Sequence, residues 1–582
     1  MLNIIYILYI FYIMAGGLMN IKAYGNQNII LNGNPSKTFF KSTYAKYTNF
    51  GMQKFRLDFD GLRTLHMTRS SVFNFGVKRY GDILMDTFLV LNLPHIWSPV
   101  YPVTDGTSST SDPEYATRMW QPYEFKWIKN IGTQMIESVR FTVGGQVIQE
   151  FTGQYLYNLV ERGFVEGKKD LYYKMTGNVN DLNAPEVEQG GYPSTFVGND
   201  TTDPEFTDIY NKVNSEPSIR GRQIYVPLNI WFTLASKMGF PLTSLQYAEL
   251  NIEVTIRPVQ ELFTVNEIIT EDNVVFVQNT IQPNFNNALY GMYRFLQPPP
   301  LINIDDDSIY TDRRTNWNAD IHLISTYAFL TETEKNLFAL KDQQYIVNQA
   351  YTTTFENVVG TKKLDLKSLG MVSSWMWYLQ RNDIAMRNEW SNYTNWPYGV
   401  KPYPAQPATS NNCSNIMTVE GKKIYPGEGS QTNLYTTGYF RPQNAKEIMT
   451  TWGLLLDGKY RENEQQPGVL NYIEKYTRTS GNAPDGLYCY SFSVNNNPFD
   501  FQPSGALNTS MFSSIEFEVT TIQPTLDPTA QFWSICAPDG TVVGTQMPAW
   551  GIYEYTYNLV IMEERINILT IKNGNAGLEY AR

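Results

Sequence analysis

The residue types that most often do chemistry are few in this chain, and their spacing does not suit it. The three histidines, His66, His95 and His322, stand far apart. A zinc site draws its ligands from short intervals such as His-Glu-x-x-His, and no such run occurs. The three cysteines, Cys413, Cys489 and Cys536, are an odd number and equally scattered. They imply no disulfide framework and no Cys-x-x-Cys centre, which suits folding in a reducing compartment. There is no Gly-x-x-x-x-Gly-Lys phosphate loop and no Gly-x-Ser-x-Gly nucleophile elbow. Asp305-Asp306-Asp307 offers carboxylates, but a calcium loop spaces its ligands around a turn glycine. The run reads as a solvated acidic linker. Trp375, Trp377, Trp390 and Trp396 could form a sugar platform, although packing is the commoner use of tryptophan. Carboxylates are plentiful, and sequence alone does not exclude a catalytic pair among them. Asn-x-Ser/Thr sequons occur at Asn199, Asn392, Asn412 and Asn508. The first three are candidate glycosylation positions, Asn199 and Asn412 lying in long polar stretches. Asn508 reads as structural. The site reading is therefore no catalytic residue, no metal and no cofactor.

The scaffold has to account for the function instead. The chain has 582 residues and a mass of 66.8 kDa, enough for two to four domains. Hydrophobic residues make up 42% and charged residues 17%, so large cores are affordable in composition and overall disorder is excluded. The 40 Tyr, 31 Phe and 12 Trp favour pleated, half-buried surfaces, and 40 Gly with 31 Pro supply the breaks between them. The composition reads as a large, acidic, mostly β protein with many loops. A net charge of −11 and only paired basic residues (Lys168-Lys169, Lys362-Lys363, Lys422-Lys423) argue against direct nucleic-acid binding.

Residues 2–13 are apolar and uncharged, too short to span a bilayer and without the basic start of a signal peptide. They read as an upstream extension before Met14, with a membrane-directed leader as the other reading. Residues 14–49 are cut by Gly-Gly, Asn-Gly and Asn-Pro into short extended pieces, an arm. Residues 137–143 and 146–151 flank Gly144-Gly145, a hairpin signal. Leu250, Ile252, Val254 and Ile256 alternate with Asn251, Glu253 and Thr255 as a half-wet strand does. Residues 166–222 and 398–440 are polar, Gly- and Asn-rich, and read as long loops. Residues 258–318 read as a connector. A strand over 321–330 opens the second body, followed by a Thr331-Glu332-Thr333-Glu334 capping box and a helix to Leu340.

Met14-Ala15-Gly16-Gly17, Gly33-Asn34-Pro35, Thr38-Phe39-Phe40-Lys41 and Tyr47-Thr48-Asn49-Phe50 appear in that order. The Gly-Gly hairpin follows, then the Pro241-Leu242 to Gln246-Tyr247 lead-in and Gln502-Pro503-Ser504-Gly505-Ala506-Leu507-Asn508. Together they resemble the major capsid proteins of nucleocytoplasmic large DNA viruses. The run 388–397 resembles the mimivirus-like branch. The likeness spans nearly all of 14–582, and the terminal wording of the family is only loosely kept at 573–578. It implies an all-β fold of two tandem eight-stranded jelly rolls with long loops and a few short helices. The boundaries read as 14–49 arm, 50–257 first jelly roll, 258–318 connector and 319–582 second jelly roll. It implies a non-enzymatic virion protein, assembled in the host cytoplasm, that trimerises into a pseudo-hexagonal capsomer of an icosahedral shell. The expected partners are its own copies, neighbouring capsomers, and minor capsid and penton proteins. Contact with an inner membrane would be indirect only. Asn199 and Asn412 would be reachable by a viral glycosylating enzyme. The alternative is a glycan-binding or glycan-hydrolysing β-sandwich using the Trp-rich segment.

Overall fold

The computed structural model describes residues 25–103, 119–193, 216–235, 238–271, 274–298, 310–397, 406–407, 418–419, 422–423, 435–436, 442–524, 533–536, 542–546 and 555–580. Within them, alternating strands build two sandwiches. The first uses β1 (Phe50–Asp58), β2 (Ser71–Gly76), β3 (Ile83–Leu93), β4 (Ile136–Val143), β5 (Gln146–Phe151), β6 (Arg222–Pro227), β7 (Leu250–Ile256) and β8 (His322–Leu330). One sheet runs β1-β8-β3-β6 and the other β2-β7-β4-β5, with every neighbour antiparallel. That interleaved order is a jelly roll. In β7 the four apolar residues are buried and the three polar ones half-buried, as the alternation requires. Gly144 and Gly145 both have positive φ (57° and 83°), which gives the β4–β5 hairpin the primed turn that matches strand twist.

The order then repeats. The second sandwich uses β9 (Gln343–Phe355), β10 (Thr361–Asp365), β11 (Met371–Arg381), β12 (Met449–Leu456), β13 (Lys459–Gln465), β14 (Leu487–Ser491), β15 (Ile515–Thr521) and β16 (Tyr557–Lys572). Its sheets run β9-β16-β11-β14 and β10-β15-β12-β13. Its core stacks Trp377 on Trp452 at 5.2 Å, with Phe517 edge-on to Trp377. Trp375 and Trp377 are fully buried. Trp390 and Trp396 are half-buried, the first under Arg257 and the second under Lys446. The Trp-rich segment is packing, not an open sugar platform.

The structure corrects several sequence expectations. The 321–330 strand does not open the second body: β8 lies between β1 and β3 in the first sheet. The stretch from 166 is not a loop at its start. Glu166–Thr176, Asn180–Asn183 and Glu186–Gln189 are helices, and Lys169 and Tyr172 are buried. The connector holds a hairpin, Phe263–Glu271 with Val274–Ile281, paired to Phe125–Trp127. The helix after Thr331 forms over Glu332–Leu340, but the Thr331 side chain makes no cap bond. Within the 398–440 excursion the described residues are four two-residue strands, Gln406–Pro407 with Tyr435–Thr436 and Thr418–Val419 with Lys422–Lys423.

Met1–Asn49 is a unit of its own. It is not extended throughout: Asn28–Asn32 forms a single helical turn. Ile30, Leu31, Phe39, Phe40, Tyr44 and Tyr47 are all more than four-fifths exposed, so the described part of the arm has no core. Residues 1–13, Asp305-Asp306-Asp307, Asn199 and Asn412 lie outside the described residues.

Candidate functional site: the seam between the sandwiches

Strand β11 is buried almost end to end, because its sheet is covered on both faces. Trp375, Trp377 and Leu379 face the second core, as do Leu559 and Ile561 of β16 and Tyr488 of β14. The alternate residues Met376, Tyr378, Val560, Met562, Leu487 and Cys489 join the core of the first sandwich. The element laid against this second face is helix α1 (Gly153–Gly163). It starts at Thr152, whose side-chain oxygen accepts the Tyr155 N–H. A surface helix buries one stripe; α1 also buries Asn158, Glu161 and Arg162.

Those polar residues are the join. Arg162 donates from Nη1 and Nη2 to the two carboxylate oxygens of Glu564 in β16, at 2.9 and 2.8 Å. Tyr155 also donates to Glu564, and Arg162 donates to the Ser374 hydroxyl of β11. Arg162 is 1% exposed and Glu564 7%. Asn158 accepts from Tyr393 at 2.9 Å, and Gln154 donates to the Trp390 carbonyl. Two glutamines reach across reciprocally: Gln149 of β5 donates to the Asn348 carbonyl, and Gln349 of β9 to the Ile148 carbonyl. The last carbonyls of α1 accept from the far side too, Arg162 from the Gly481 N–H and Glu161 from the Asn482 N–H. A Cβ on residue 481 would lie 2.2 Å from the Glu161 oxygen, so that approach requires glycine.

A second clamp comes from the 388–397 run. Asn388, at φ 53°, donates to the Gln260 and Phe263 carbonyls, and Trp390 Nε1 donates to the Glu261 carbonyl. Asn130 donates to Ser391. Behind it, Asp383 accepts from Arg381 and Arg387, and these two cations hold its buried carboxyl below the usual range against the opposing effect of burial. Asn392 sits inside this turn, 3% exposed, donating to Glu389 and to the Trp396 carbonyl. Its amide is enclosed and committed, so the folded chain cannot carry a glycan there. Asn508 is exposed and caps the next turn by accepting the Ser510 N–H.

The histidines serve locally. His95 accepts the Gly221 N–H, and buried His322 donates to the Asp320 carbonyl. Among the described residues no three His, Cys, Asp or Glu are grouped to hold a metal ion. Also among them, no helix is long and apolar enough to cross a membrane. The chemistry of the seam is adhesion. Buried ion pairs and side-chain to backbone hydrogen bonds fix two sandwiches in one relative position, with geometry that apolar packing alone would leave looser.

The sequence reading missed Arg162 and Glu564. Glu563-Glu564-Arg565 interrupts the apolar pattern on either side of it. The structure runs one strand through them. Charges inside a strand interior were the available signal.

The seam has an acid limit. Burial pushes the Glu564 carboxyl up, but the Arg162 charge and the bonds from Arg162, Ser374 and Tyr155 outweigh it and hold it low. A carboxyl whose folded pKa lies below its unfolded value stabilises fully above the unfolded value. That contribution is lost as pH falls through the folded one. Acid unfolding followed by tryptophan fluorescence should therefore begin at a higher pH once Arg162 is replaced. Glu564→Gln should flatten the dependence, and an unchanged acid profile in Glu564→Gln would refute this.

Comparison with known proteins agrees with this architecture. The profile of the major capsid protein N-terminus matches residues 38–297, and that of the large eukaryotic DNA virus major capsid protein matches 334–577. The major capsid protein of Chrysochromulina ericina virus is 26% identical, covering 98% of this chain and 100% of its own. That of Phaeocystis pouchetii virus is 23% identical with the same coverage. The solved PBCV-1 VP54 structure superimposes with a TM-score of 0.55 at 18% identity, covering 94% of this chain and all of that one. With two successive jelly rolls, the two profiles that between them span most of the chain, and full-length relatives, this chain belongs to the major capsid proteins of nucleocytoplasmic large DNA viruses.

Proposed function

We propose that three copies of this chain close about a threefold axis into a pseudo-hexagonal capsomer that tiles the icosahedral shell, assembled in the host cytoplasm. The observation that carries this is the repeat of one strand order in two sandwiches locked by a buried seam. Two matched uprights per chain give six per trimer, and a rigid seam keeps them at hexagonal spacing. Closed cyclic symmetry is the common outcome for identical subunits. Exposed apolar side chains supply material for contacts between copies. Tyr472, Ile473 and Tyr476 share one helical face, and Leu369, Met371 and Met511 are exposed near one another in the β11 pairing. Function of this kind asks for no catalytic group. The partners would be neighbouring capsomers, penton and minor capsid proteins. Asn199 and Asn412 are the candidate glycan positions, to be tested by peptide mass from virions.

Averaged images of the purified oligomer should show a six-lobed outline, and a three-lobed or elongated outline would contradict the reading. The arm is read as an assembly element. Its apolar residues are exposed, and too little surface is buried within it to offset the entropy of ordering. Deleting residues 14–36 should leave the oligomer a trimer and lower the melting temperature by only a few degrees, about 1–2 kcal/mol. Incorporation into shells should fall sharply; normal assembly of the truncated chain would overturn this role.

A further inference from the structure

The two sandwiches repeat more than a strand order. In each, the fifth strand runs, after a single residue, into a helix: β5 into α1, and β13 into a helix over 467–478. Counted from their starts, Asn158, Leu159 and Arg162 of α1 match Tyr472, Ile473 and Tyr476 of the later helix. The first three are buried. The second three are exposed, Tyr472 and Ile473 by 56% each and Tyr476 by 90%. The later helix is nevertheless seated firmly on its other side. Leu470, Asn471 and Lys475 are buried there, and Lys475 donates to the Leu487 carbonyl of β14.

The sheets repeat in the same way. α1 covers the β9-β16-β11-β14 face, where Met376 of β11 and its cross-strand neighbour Met562 of β16 are fully buried. Asn158 of α1 lies against Met562, its amide 3.5 Å from the sulfur. Strands β3 and β11 both have 11 residues, and Phe88 of β3 stands at the position of Met376. Phe88 pairs with Ile324 of β8 as Met376 pairs with Met562. Leu89 and Leu323 belong to the first core, so their neighbours Phe88 and Ile324 point to the opposite face. Both are only half-buried. On the same face Met52 of β1 and Tyr225 of β6 are exposed.

Within the chain one helix and one sheet face are joined, and the counterpart of each is left open. We propose that the 467–478 helix of one copy docks on the β1-β8-β3-β6 face of the next copy, so that the contact between copies repeats the seam within each chain. This pairing rests on the closure of three copies about a threefold axis. A helix and a sheet face are unlike surfaces, so the contact is head-to-tail, and head-to-tail contacts form a ring when the rotation closes. Three chains then hold three seams within them and three between them, one for each step around the hexagonal outline. Tyrosine is a residue type that anchors interfaces when its ring is buried there. By the matched positions, Tyr472 meets Ile324 of the next copy where Asn158 meets Met562 within the chain.

The test uses the purified full-length protein. Hydroxyl-radical labelling compares two tyrosines of the wild-type trimer. Tyr476 is the more exposed in the single chain, at 90% against 76% for Tyr247, which lies on neither surface. In the trimer Tyr476 should label more slowly than Tyr247. Dilution followed by light scattering then reads the strength of the contact. Tyr472→Ala and Ile324→Ala should each raise the concentration at which the trimer dissociates, by about tenfold. The double variant should raise it by less than the product of the two, because both remove the same contact. Tyr476 labelling as fast as Tyr247 in an intact trimer would leave the helix open to some other partner and overturn the pairing, with the trimer still standing. Wild-type dissociation in both single variants, or a double variant equal to the product, would overturn it in the same way. A wild-type chain with single-chain mass would instead overturn the threefold closure itself.

Discussion

Arg162→Met should destabilise the protein by about 3–5 kcal/mol, because it leaves Glu564 charged, buried and unpaired. The loss should appear in the denaturant midpoint. The asymmetry of buried pairs makes a sharper expectation. Removing both charges, as Arg162→Met with Glu564→Leu, should recover much of the stability, since the Coulomb gain of a buried pair is largely offset by its desolvation. Single and double variants thus separate two roles. If the pair serves only stability, the double variant assembles like wild type. If it fixes the angle between sandwiches, the double variant folds but builds shells poorly. A single Arg162→Met variant with wild-type stability would mean the seam is not held there.

Trp377→Ala should cost about 3–5 kcal/mol, as truncation of a large buried aromatic does. Trp377 is fully buried, stacked on Trp452 and edge-on to Phe517. Trp396→Ala, at a half-buried site under Lys446, should cost much less. The pair of variants also discriminates between functions. A glycan platform needs exposed rings, so losing Trp396 would then abolish sugar binding at little cost in stability. Glycan-array signal from the wild type that vanishes in Trp396→Ala would revive that alternative.

Much of the fold is written locally. Strand β7 shows its buried face as a period of two, and Gly144-Gly145 can serve only as a turn of positive φ between strands. What local pattern does not carry is which sheet a strand joins. Residues 321–330 read correctly as a strand, but their place between β1 and β3 depends on partners more than 200 residues away in sequence. The helices at 166–189 were hidden for a related reason. Gly177, Asn178, Asn180 and Pro185 look like loop residues, and Lys169 looks solvated. It is instead buried and paired with Glu161, a contact made in three dimensions. The seam was hidden in the same way. The polar residues Gln149, Asn158, Arg162 and Glu564 carry no short-range pattern, and each makes a hydrogen bond across the two sandwiches.

The proposed capsomer requires each double jelly roll to work as one rigid third of a trimer. Light scattering on the purified protein tests it most directly. The expected mass is three copies of the 66.8 kDa chain, roughly 200 kDa, unchanged on dilution to micromolar concentration. A single-chain mass of 66.8 kDa at that concentration would contradict it.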